Sequence, residues 1–342
     1  MKVSTLTLGT MTFGGKDRFS KLGNIDVKEA REIIHLCIDH GMNLIDTANV
    51  YSYGRSEEII GEALGGKRPG NVLISTKARM VVGDGPNESG FSRYHLIQQC
   101  EKSLKRLKTD VIDIYYMHEW DGATPLEEML EALSHLMQQG KIRYAGCSNF
   151  SGWHIMKALG ISRERNLPRF VTQQIHYTLE ARDAEYELLP IAVDQGVGVL
   201  AWSPLAGGLL SGKYTRDTKP AGITRISEGW PEPPIRDEER LWNIVDVVSE
   251  IAGARQVPAA QVSLAWVLSR PGVASLVIGG RKIEHIRENI GAASLELSDD
   301  ELARLNKVSD PPLIYPYWHQ ARFATSTFTD GDRALFGGRS SD

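Results

Sequence analysis

Short apolar segments alternate with longer amphipathic segments along most of this chain, and this alternation constrains the fold more than any single motif. Alternation of this kind is typical of parallel strands joined by crossover helices, and eight repeats is the number that closes a barrel. The sequence therefore predicts an α/β protein with a single (β/α)8 TIM barrel. Eight segments have the composition of strands: Ser4–Leu8, Asn43–Ile45, Val72–Thr76, Val111–Met117, Ile142–Gly146, Phe170–Ile175, Val197–Ala201 and Leu276–Ile278.

The segments between these strands have the apolar spacing of amphipathic helices. An open doubly wound sheet is the alternative fold, but such a sheet usually has fewer strands, and no domain linker interrupts the middle of the chain. The predicted helices are Val27–His40, Ser56–Leu64, Ser92–Arg106, Leu126–Gln139, Trp153–Leu159, Asp183–Asp194, Glu238–Ala254, Ala259–Leu268 and Ile283–Ile290.

The chain has 342 residues, and α/β barrels of roughly 250 residues or more form one domain. We expect a barrel domain over residues 1–310 and a C-terminal tail over residues 311–342 that covers the cleft or joins a neighbouring subunit. Three long irregular segments follow strands, at Val81–Gly90, His118–Ala123 and Lys213–Arg236. Long loops on that side of a barrel form the roof of its active-site face.

The charge pattern favours a small-molecule partner. The formal net charge is -4, from 39 basic and 43 acidic residues without long blocks, which gives no footprint for nucleic acid or an anionic membrane. No apolar run approaches the roughly 20 residues of a membrane span, and the N-terminus is too polar for a signal peptide. We therefore expect a cytoplasmic protein. The sequence leaves open whether the protein forms a homo-oligomer.

The ends of three predicted strands carry the candidate chemistry. Asp46 and Tyr51 follow the second strand, Lys77 follows the third and His118 follows the fourth. In a parallel sheet these positions meet at one edge, where α/β enzymes hold their catalytic groups. A tyrosine has an ordinary pKa of about 10, but an adjacent ammonium stabilises its phenolate, and a carboxylate holds that ammonium in place. The quartet predicts that Tyr51 is a general acid toward a carbonyl oxygen.

The sequence lacks the motifs of several other catalytic and binding sites. His118-Glu119 has no second histidine at the spacing of a helical zinc site, and the sequence contains neither a Gly-x-Ser-x-Gly elbow nor a phosphate-binding P-loop. Cys37, Cys100 and Cys147 are too widely spaced for a metal knuckle, and they predict reduced, buried thiols. Gly196-Val-Gly198 begins a strand instead of following one, so it predicts a tight strand entry and not a dinucleotide fingerprint. We expect no metal.

The residues around the quartet resemble the aldo-keto reductase family. The resemblance runs from Leu8-Gly-Thr-Met-Thr-Phe-Gly14 to about Leu305. Its strongest part is Leu44-Ile-Asp46-Thr-Ala-Asn-Val-Tyr51, Ile74-Ser-Thr-Lys77 and Tyr116-Met-His118, which is similar to that family's catalytic tetrad in order and spacing. The resemblance implies a barrel that binds NADP(H) without a Rossmann domain and reduces aldehydes or ketones.

The same resemblance implies the cofactor-binding residues. Ser148, Asn149 and Gln174 match positions that hydrogen-bond the nicotinamide amide, and Trp202 matches the aromatic that stacks on its ring. Arg281 would meet a 2′-phosphate near a helix start. Relatives often have Gln or Arg in place of His285, so NAD(H) stays open as an alternative cofactor. The full set is Thr10, Met11, Ser148, Asn149, Gln174, Trp202, Ser203, Pro204, Leu205, Gly207, Lys213, Gly279, Arg281, His285, Glu288 and Asn289.

Substrate residues are predicted from their position near the strand ends. Together they would form an apolar, aromatic pocket, which suits bulky or aromatic carbonyl compounds better than small charged sugars. The candidates are Phe13, Tyr53, Met80, Trp120 and Trp230.

Two alternatives to a carbonyl reductase stay open. One is a cofactor-sensing regulatory protein resembling the beta subunits of voltage-gated potassium channels, which share the barrel and a similar Trp-Ser-Pro-Leu-Ala segment. Those proteins typically carry Asn where this chain has His118, so the histidine favours an enzyme. The other alternative is an alcohol dehydrogenase that runs the same chemistry in the oxidative direction.

Overall fold

The computed structural model describes residues 1–218, 229 and 234–336. Eight strands form a closed barrel in which each strand neighbours the next in chain order. The predicted (β/α)8 barrel is therefore confirmed. The strands are β1 Leu6–Gly9, β2 Leu44–Asp46, β3 Leu73–Ala78, β4 Ile112–Met117, β5 Ile142–Ser148, β6 Phe170–His176, β7 Gly198–Trp202 and β8 Val273–Ile278.

All eight predicted strands are present within a few residues of their expected bounds. Their side chains are mostly buried along the whole strand, because a barrel strand packs inward against the barrel core and outward against helices. The helices are α1 Val27–Asp39, α2 Arg55–Ala63, α3 Arg93–Leu107, α4 Leu126–Gln138, α5 Gly152–Glu164, α6 Leu188–Gln195, α7 Glu238–Arg255, α8 Ala259–Leu268, α9 Ile283–Ile290, α10 Asp299–Ser309, α11 Tyr317–Phe323 and α12 Asp330–Phe336.

The predicted helix Asp183–Asp194 is wrong in its first half. Residues Asp183–Glu185 form a single 3-10 turn, and α6 begins only at Leu188. Pro190 explains the break, because a proline is tolerated in the first turn of a helix but would clash with a preceding carbonyl in its interior. The prediction also missed α10, α11 and α12.

The chain divides into two compact units, residues 1–174 with 277–286 and residues 175–276 with 287–342. In the first unit, the carboxylate of Glu57 is fully buried and accepts hydrogen bonds from Thr76 Oγ1 at 2.6 Å and Arg106 Nε at 2.6 Å. These bonds connect α2, β3 and α3. A buried carboxylate is stable only with such partners.

The three cysteines are free and buried, as the sequence predicts. Burial raises the pKa of the Cys37 and Cys100 thiols to about 12, so both stay protonated and unreactive at neutral pH. Within the described ranges, no helix combines the length and apolar character needed to cross a membrane.

In the second unit, Arg182 and Glu185 form a fully buried ion pair. Arg182 donates from Nε to Glu185 Oε1 at 2.8 Å and from Nη2 to Oε2 at 2.9 Å. Tyr177 donates its hydroxyl to the same carboxylate at 2.6 Å, and Arg182 also donates to Ser309 Oγ of α10 at 2.9 Å. The loop after β6 is thereby joined to α10.

The tail over residues 311–336 lies in this second unit. Tyr186 donates its hydroxyl to the Pro312 carbonyl at 2.6 Å, and α12 packs against α6. At that contact, Gly331 lies close to Asp194 and to the Pro190 carbonyl. The proposed domain boundary at residue 310, and a role of the tail over the cleft or at a subunit interface, stay predictions.

The buried ion pair of Arg182 and Glu185 should contribute to the stability of the fold. Burial opposes ionisation of Glu185, but Arg182 holds the pKa of this carboxyl below its usual range. Glu185→Gln removes the buried carboxylate that Arg182 shares with Arg270 and, among the described residues, leaves Arg182 only the more distant, exposed Asp310 at 3.8 Å, which should lower the free energy of unfolding by about 3–5 kcal/mol. Urea denaturation measures the loss, with exposed Glu187→Gln as the control. Equal stability of both variants would contradict the assignment.

Candidate active site

Tyr51 is presented by a turn with an unusual backbone. Ser52 and Tyr53 have φ angles of 48° and 54°, and Gly54 follows with φ 90°. Left-handed conformations are costly for residues with a Cβ and persist where the surroundings hold them. Ser52 Oγ supplies part of that support, because it is buried and donates to the Phe13 carbonyl at 3.0 Å. The turn therefore fixes the backbone beside Tyr51.

Lys77 is fully buried and pairs with Asp46. Its Nζ lies 2.5 Å from Asp46 Oδ2 and donates to the Thr47 carbonyl at 2.8 Å. The same Nζ lies 5.2 Å from the centre of the Tyr51 ring. Burial disfavours the ammonium, but Asp46 and Tyr51 outweigh it and raise the pKa of Lys77 above its ordinary value. Lys77 is therefore a fixed positive charge beside Tyr51.

The second carboxylate oxygen of Asp46 also accepts hydrogen bonds. Asp46 Oδ1 accepts hydrogen bonds from Ser75 Oγ at 2.6 Å and from Gln174 Nε2 at 3.0 Å. Sequence reasoning missed Ser75, although it lies two residues before Lys77, on the same face of β3. This carboxylate thus connects the ends of β2, β3 and β6.

His118 lies next to Tyr51, with their rings 5.7 Å apart in an edge-to-face arrangement. Its backbone N–H donates to the Ala78 carbonyl at 3.0 Å. Its Nδ1 is buried, with no hydrogen-bond partner among the residues that the structure describes. Burial, and after it the positive charges of Lys77 and Arg79, lowers the pKa of His118 well below 6.5. The imidazole is neutral at physiological pH, so one ring nitrogen carries a proton that it can donate.

Ser148 and Asn149 lie at the end of β5, beside this cluster. Asn149 has φ 58°, its backbone N–H donates to the Gln174 carbonyl at 3.3 Å, and its Nδ2 donates to the His118 carbonyl at 3.1 Å. Ser148 is buried directly before it. The ends of β4, β5 and β6 are therefore joined through Asn149.

Other cofactor candidates of the first unit have structural contacts of their own. Thr10 is fully buried, and its hydroxyl donates to the Asp46 carbonyl at 2.9 Å. Arg281 donates from Nε to the Leu22 carbonyl at 2.9 Å and from Nη2 to the Lys21 carbonyl. Met11 and His285 are partly buried, and Gly279 is exposed.

In the second unit, Trp202 ends β7, and its ring centre lies 4.6 Å from that of His176. The loop that follows turns sharply, with φ 50° at Ser203 and 66° at Gly207, and Gly207 donates its N–H to Ser203 Oγ at 3.2 Å. The remaining candidates of this unit differ in exposure: Pro204 and Asn289 are buried, Leu205 is partly buried, and Lys213 and Glu288 are exposed.

The substrate candidates also differ in exposure. Phe13 is fully buried, Met80 is partly buried and Tyr53 is 46% exposed. Trp120 stacks on His154, with ring centres 3.6 Å apart and planes 9° from parallel. Trp230 lies outside the described residues. No group of three or more histidine, cysteine, aspartate or glutamate side chains in the described ranges has the geometry of a metal site.

Comparison with known proteins agrees with this geometry. An uncharacterised oxidoreductase, YrpG of Bacillus subtilis (strain 168), is 39% identical over 91% of this chain and 94% of its own length. A probable voltage-gated potassium channel subunit beta of Arabidopsis thaliana is 36% identical over 86% of this chain and 89% of its own. The aryl-alcohol dehydrogenase GME11368 of Pestalotiopsis microspora is 33% identical over 93% and 82%. Because residues 5–310 also match the sequence pattern of the Aldo/keto reductase family, the chain belongs to that family.

Proposed function

We propose that this protein is an NADP(H)-dependent carbonyl reductase with Tyr51 as its proton donor. The observation that carries the proposal is the buried ammonium of Lys77, which Asp46 holds 5.2 Å from the centre of the Tyr51 ring. A fixed positive charge stabilises the phenolate that remains after proton transfer. Tyr51 can then act as a general acid near neutral pH.

The residues at the ends of β5 and β6 fit a nicotinamide amide. Gln174 donates its Nε2 to Asp46, which directs its amide oxygen to accept from a carboxamide N–H. The Ser148 hydroxyl and the Asn149 side chain add further hydrogen-bonding groups. When bound there, the nicotinamide supplies the hydride that reduces the carbonyl carbon. Trp202, Lys213 and the other cofactor residues of the second unit stay predictions.

Each residue of the quartet has a separate role in this mechanism. Tyr51 donates a proton to the carbonyl oxygen as negative charge develops there. Lys77 stabilises the phenolate, and Asp46 holds Lys77 in place. His118 donates a hydrogen bond from its neutral imidazole to the same oxygen, which orients the carbonyl group. The same groups can oxidise an alcohol by the reverse of these steps. The direction of the reaction therefore depends on the ratio of reduced to oxidised cofactor in the cell.

The relative named as a potassium channel subunit supports a second candidate, a cofactor-sensing binding protein. His118 favours the enzyme, because its ring adjoins Tyr51 and can hydrogen-bond a carbonyl oxygen. A screen of NADPH and NADH oxidation against aldehydes, ketones and aryl carbonyl compounds separates the two. Tight cofactor binding without any turnover would favour the binding protein.

Replacement of the proton donor tests the mechanism directly. Tyr51→Phe removes the hydroxyl and should lower kcat/KM for carbonyl reduction by about 100- to 10,000-fold. NADPH binding, followed by fluorescence titration, should change little. Tyr94→Phe, at an exposed position of α3, is the matched control. Near-full turnover by Tyr51→Phe would rule out Tyr51 as the acid.

The lowered pKa of His118 predicts how the stability of the protein depends on pH. Its folded pKa lies well below 6.5, whereas in the unfolded chain it takes up a proton as the pH falls through about 6.5. The unfolded state then binds more protons, so the wild type should lose stability toward pH 5. His118→Asn should lose less over the same range in urea denaturation. His35→Asn, exposed on α1, should instead follow the wild type.

Replacement of Arg281 tests whether the protein prefers NADPH, which carries a 2′-phosphate, over NADH. If its guanidinium pairs with a 2′-phosphate, Arg281→Ala should raise the KM for NADPH by about 10-fold or more, since a charge-assisted hydrogen bond is lost. NADH lacks that phosphate and is the internal control. An equal rise for both cofactors would indicate that Arg281 acts only through its bonds to the Lys21 and Leu22 carbonyls.

A further inference from the structure

Arg79 stands immediately after β3, two residues beyond Lys77, and its backbone has φ 143°. This conformation is rare for a residue with a Cβ, and the neighbouring chain holds it on both sides. The preceding carbonyl, of Ala78, accepts from the His118 N–H at 3.0 Å, and the Arg79 carbonyl accepts from the Gly90 N–H at 2.8 Å. Strained residues concentrate at sites where the side chain has a task.

The Arg79 side chain has no ion pair in the described part of the chain. Its Nε is buried without a hydrogen-bond partner there, and the residue as a whole is partly buried. An arginine is always charged, and removing a guanidinium from water is costly unless an anion accepts its hydrogen bonds. Within the described ranges, the Arg79 guanidinium therefore has no anionic acceptor.

The acidic neighbour Asp121 does not supply that acceptor. Asp121 Oδ2 already accepts from the Phe91 N–H at 2.8 Å and the Thr124 hydroxyl at 2.7 Å, and Oδ1 accepts from the Ala123 N–H at 2.9 Å. Its carboxylate is thus engaged in holding the loops around α3 and α4. Asp121 acts on Arg79 only from a distance.

We infer that Arg79 binds a carboxylate carried by the substrate, so that the preferred substrates are carbonyl compounds with an anionic group. The inference rests on the proposed function, because it assigns the substrate class of the same site. Arg79 follows Ala78, whose carbonyl accepts from the His118 N–H at 3.0 Å, and its charge acts on the His118 ring. One guanidinium offers two parallel N–H groups, which match a carboxylate.

This substrate class differs in part from the sequence-based expectation. The aromatic candidates Tyr53 and Trp120 still favour an apolar body, but Arg79 adds a requirement for charge. Lys77 cannot meet that requirement, because Asp46 already neutralises it. An aromatic aldehyde with a carboxylate on its ring satisfies both features.

Matched substrates test the inference. The KM and kcat are measured for 4-formylbenzoate and for its neutral methyl ester in the wild type, Arg79→Met, Arg79→Lys and Arg163→Met. Arg79→Met should raise the KM for 4-formylbenzoate by about 10- to 100-fold relative to any change in the KM for the methyl ester. Arg79→Lys keeps the charge without the fork and should show a smaller rise. Arg163, exposed on α5, is the control and should show none.

Binding of benzoate gives a second readout that needs no turnover. Calorimetric titration with benzoate, and with neutral benzamide, should show benzoate binding that Arg79→Met weakens to the same degree. If neither aldehyde is reduced but benzoate still binds through Arg79, the proposed function fails while the assignment of Arg79 as a carboxylate-binding residue stands. An Arg79→Met variant that affects acid and ester equally, or neither, would overturn the inference.

Discussion

The buried ion pair between Lys77 and Asp46 is the interaction on which the rest of the catalytic region depends. Removing either charge from water is costly, and the pair is stable only because the remaining hydrogen-bonding groups are also satisfied. Thr47 accepts from the ammonium, and Ser75 and Gln174 donate to the carboxylate. These bonds join β2, β3 and β6, and they hold the Lys77 ammonium 5.2 Å from the centre of the Tyr51 ring.

Burial and the positive charges of the site together determine how His118 can act. Burial, and after it the charges of Lys77 and Arg79, opposes protonation of its ring and lowers its pKa. In the proposed mechanism, a protonated imidazole would compete with Tyr51 as the proton source, whereas a neutral one only donates a hydrogen bond. The cationic surroundings also favour the negative charge that develops on a carbonyl oxygen. One arrangement of charges therefore separates the roles of two potential acids.

The strands and the quartet could be predicted from the sequence, because continuous apolar runs end in ionisable residues at successive strand ends. The contacts of Ser75 could not, because they depend on the register that sets Asp46 opposite Ser75. Arg79 is a similar case: its residue type is visible in the sequence, but its φ angle is not, nor is the lack of a partner for its Nε within the described residues. The break before α6 could have been found from Pro190, whereas the packing of α12 on α6 depends on long-range contacts.

The relatives of this chain include oxidoreductases and a probable channel subunit. Because a fold does not determine a function, particular residues must decide the role of this chain. Asp46 and Lys77 would stabilise a cofactor-binding region in a sensor as well as in an enzyme. Only groups that face the substrate distinguish the two, since a sensor has no carbonyl oxygen to orient. We propose that His118 and Arg79 are such groups, and neither is needed to complete the hydrogen bonding of the Lys77–Asp46 pair. Among the described residues both side chains have a buried polar atom without a partner, which costs stability, and the proposed reaction gives a reason to keep them.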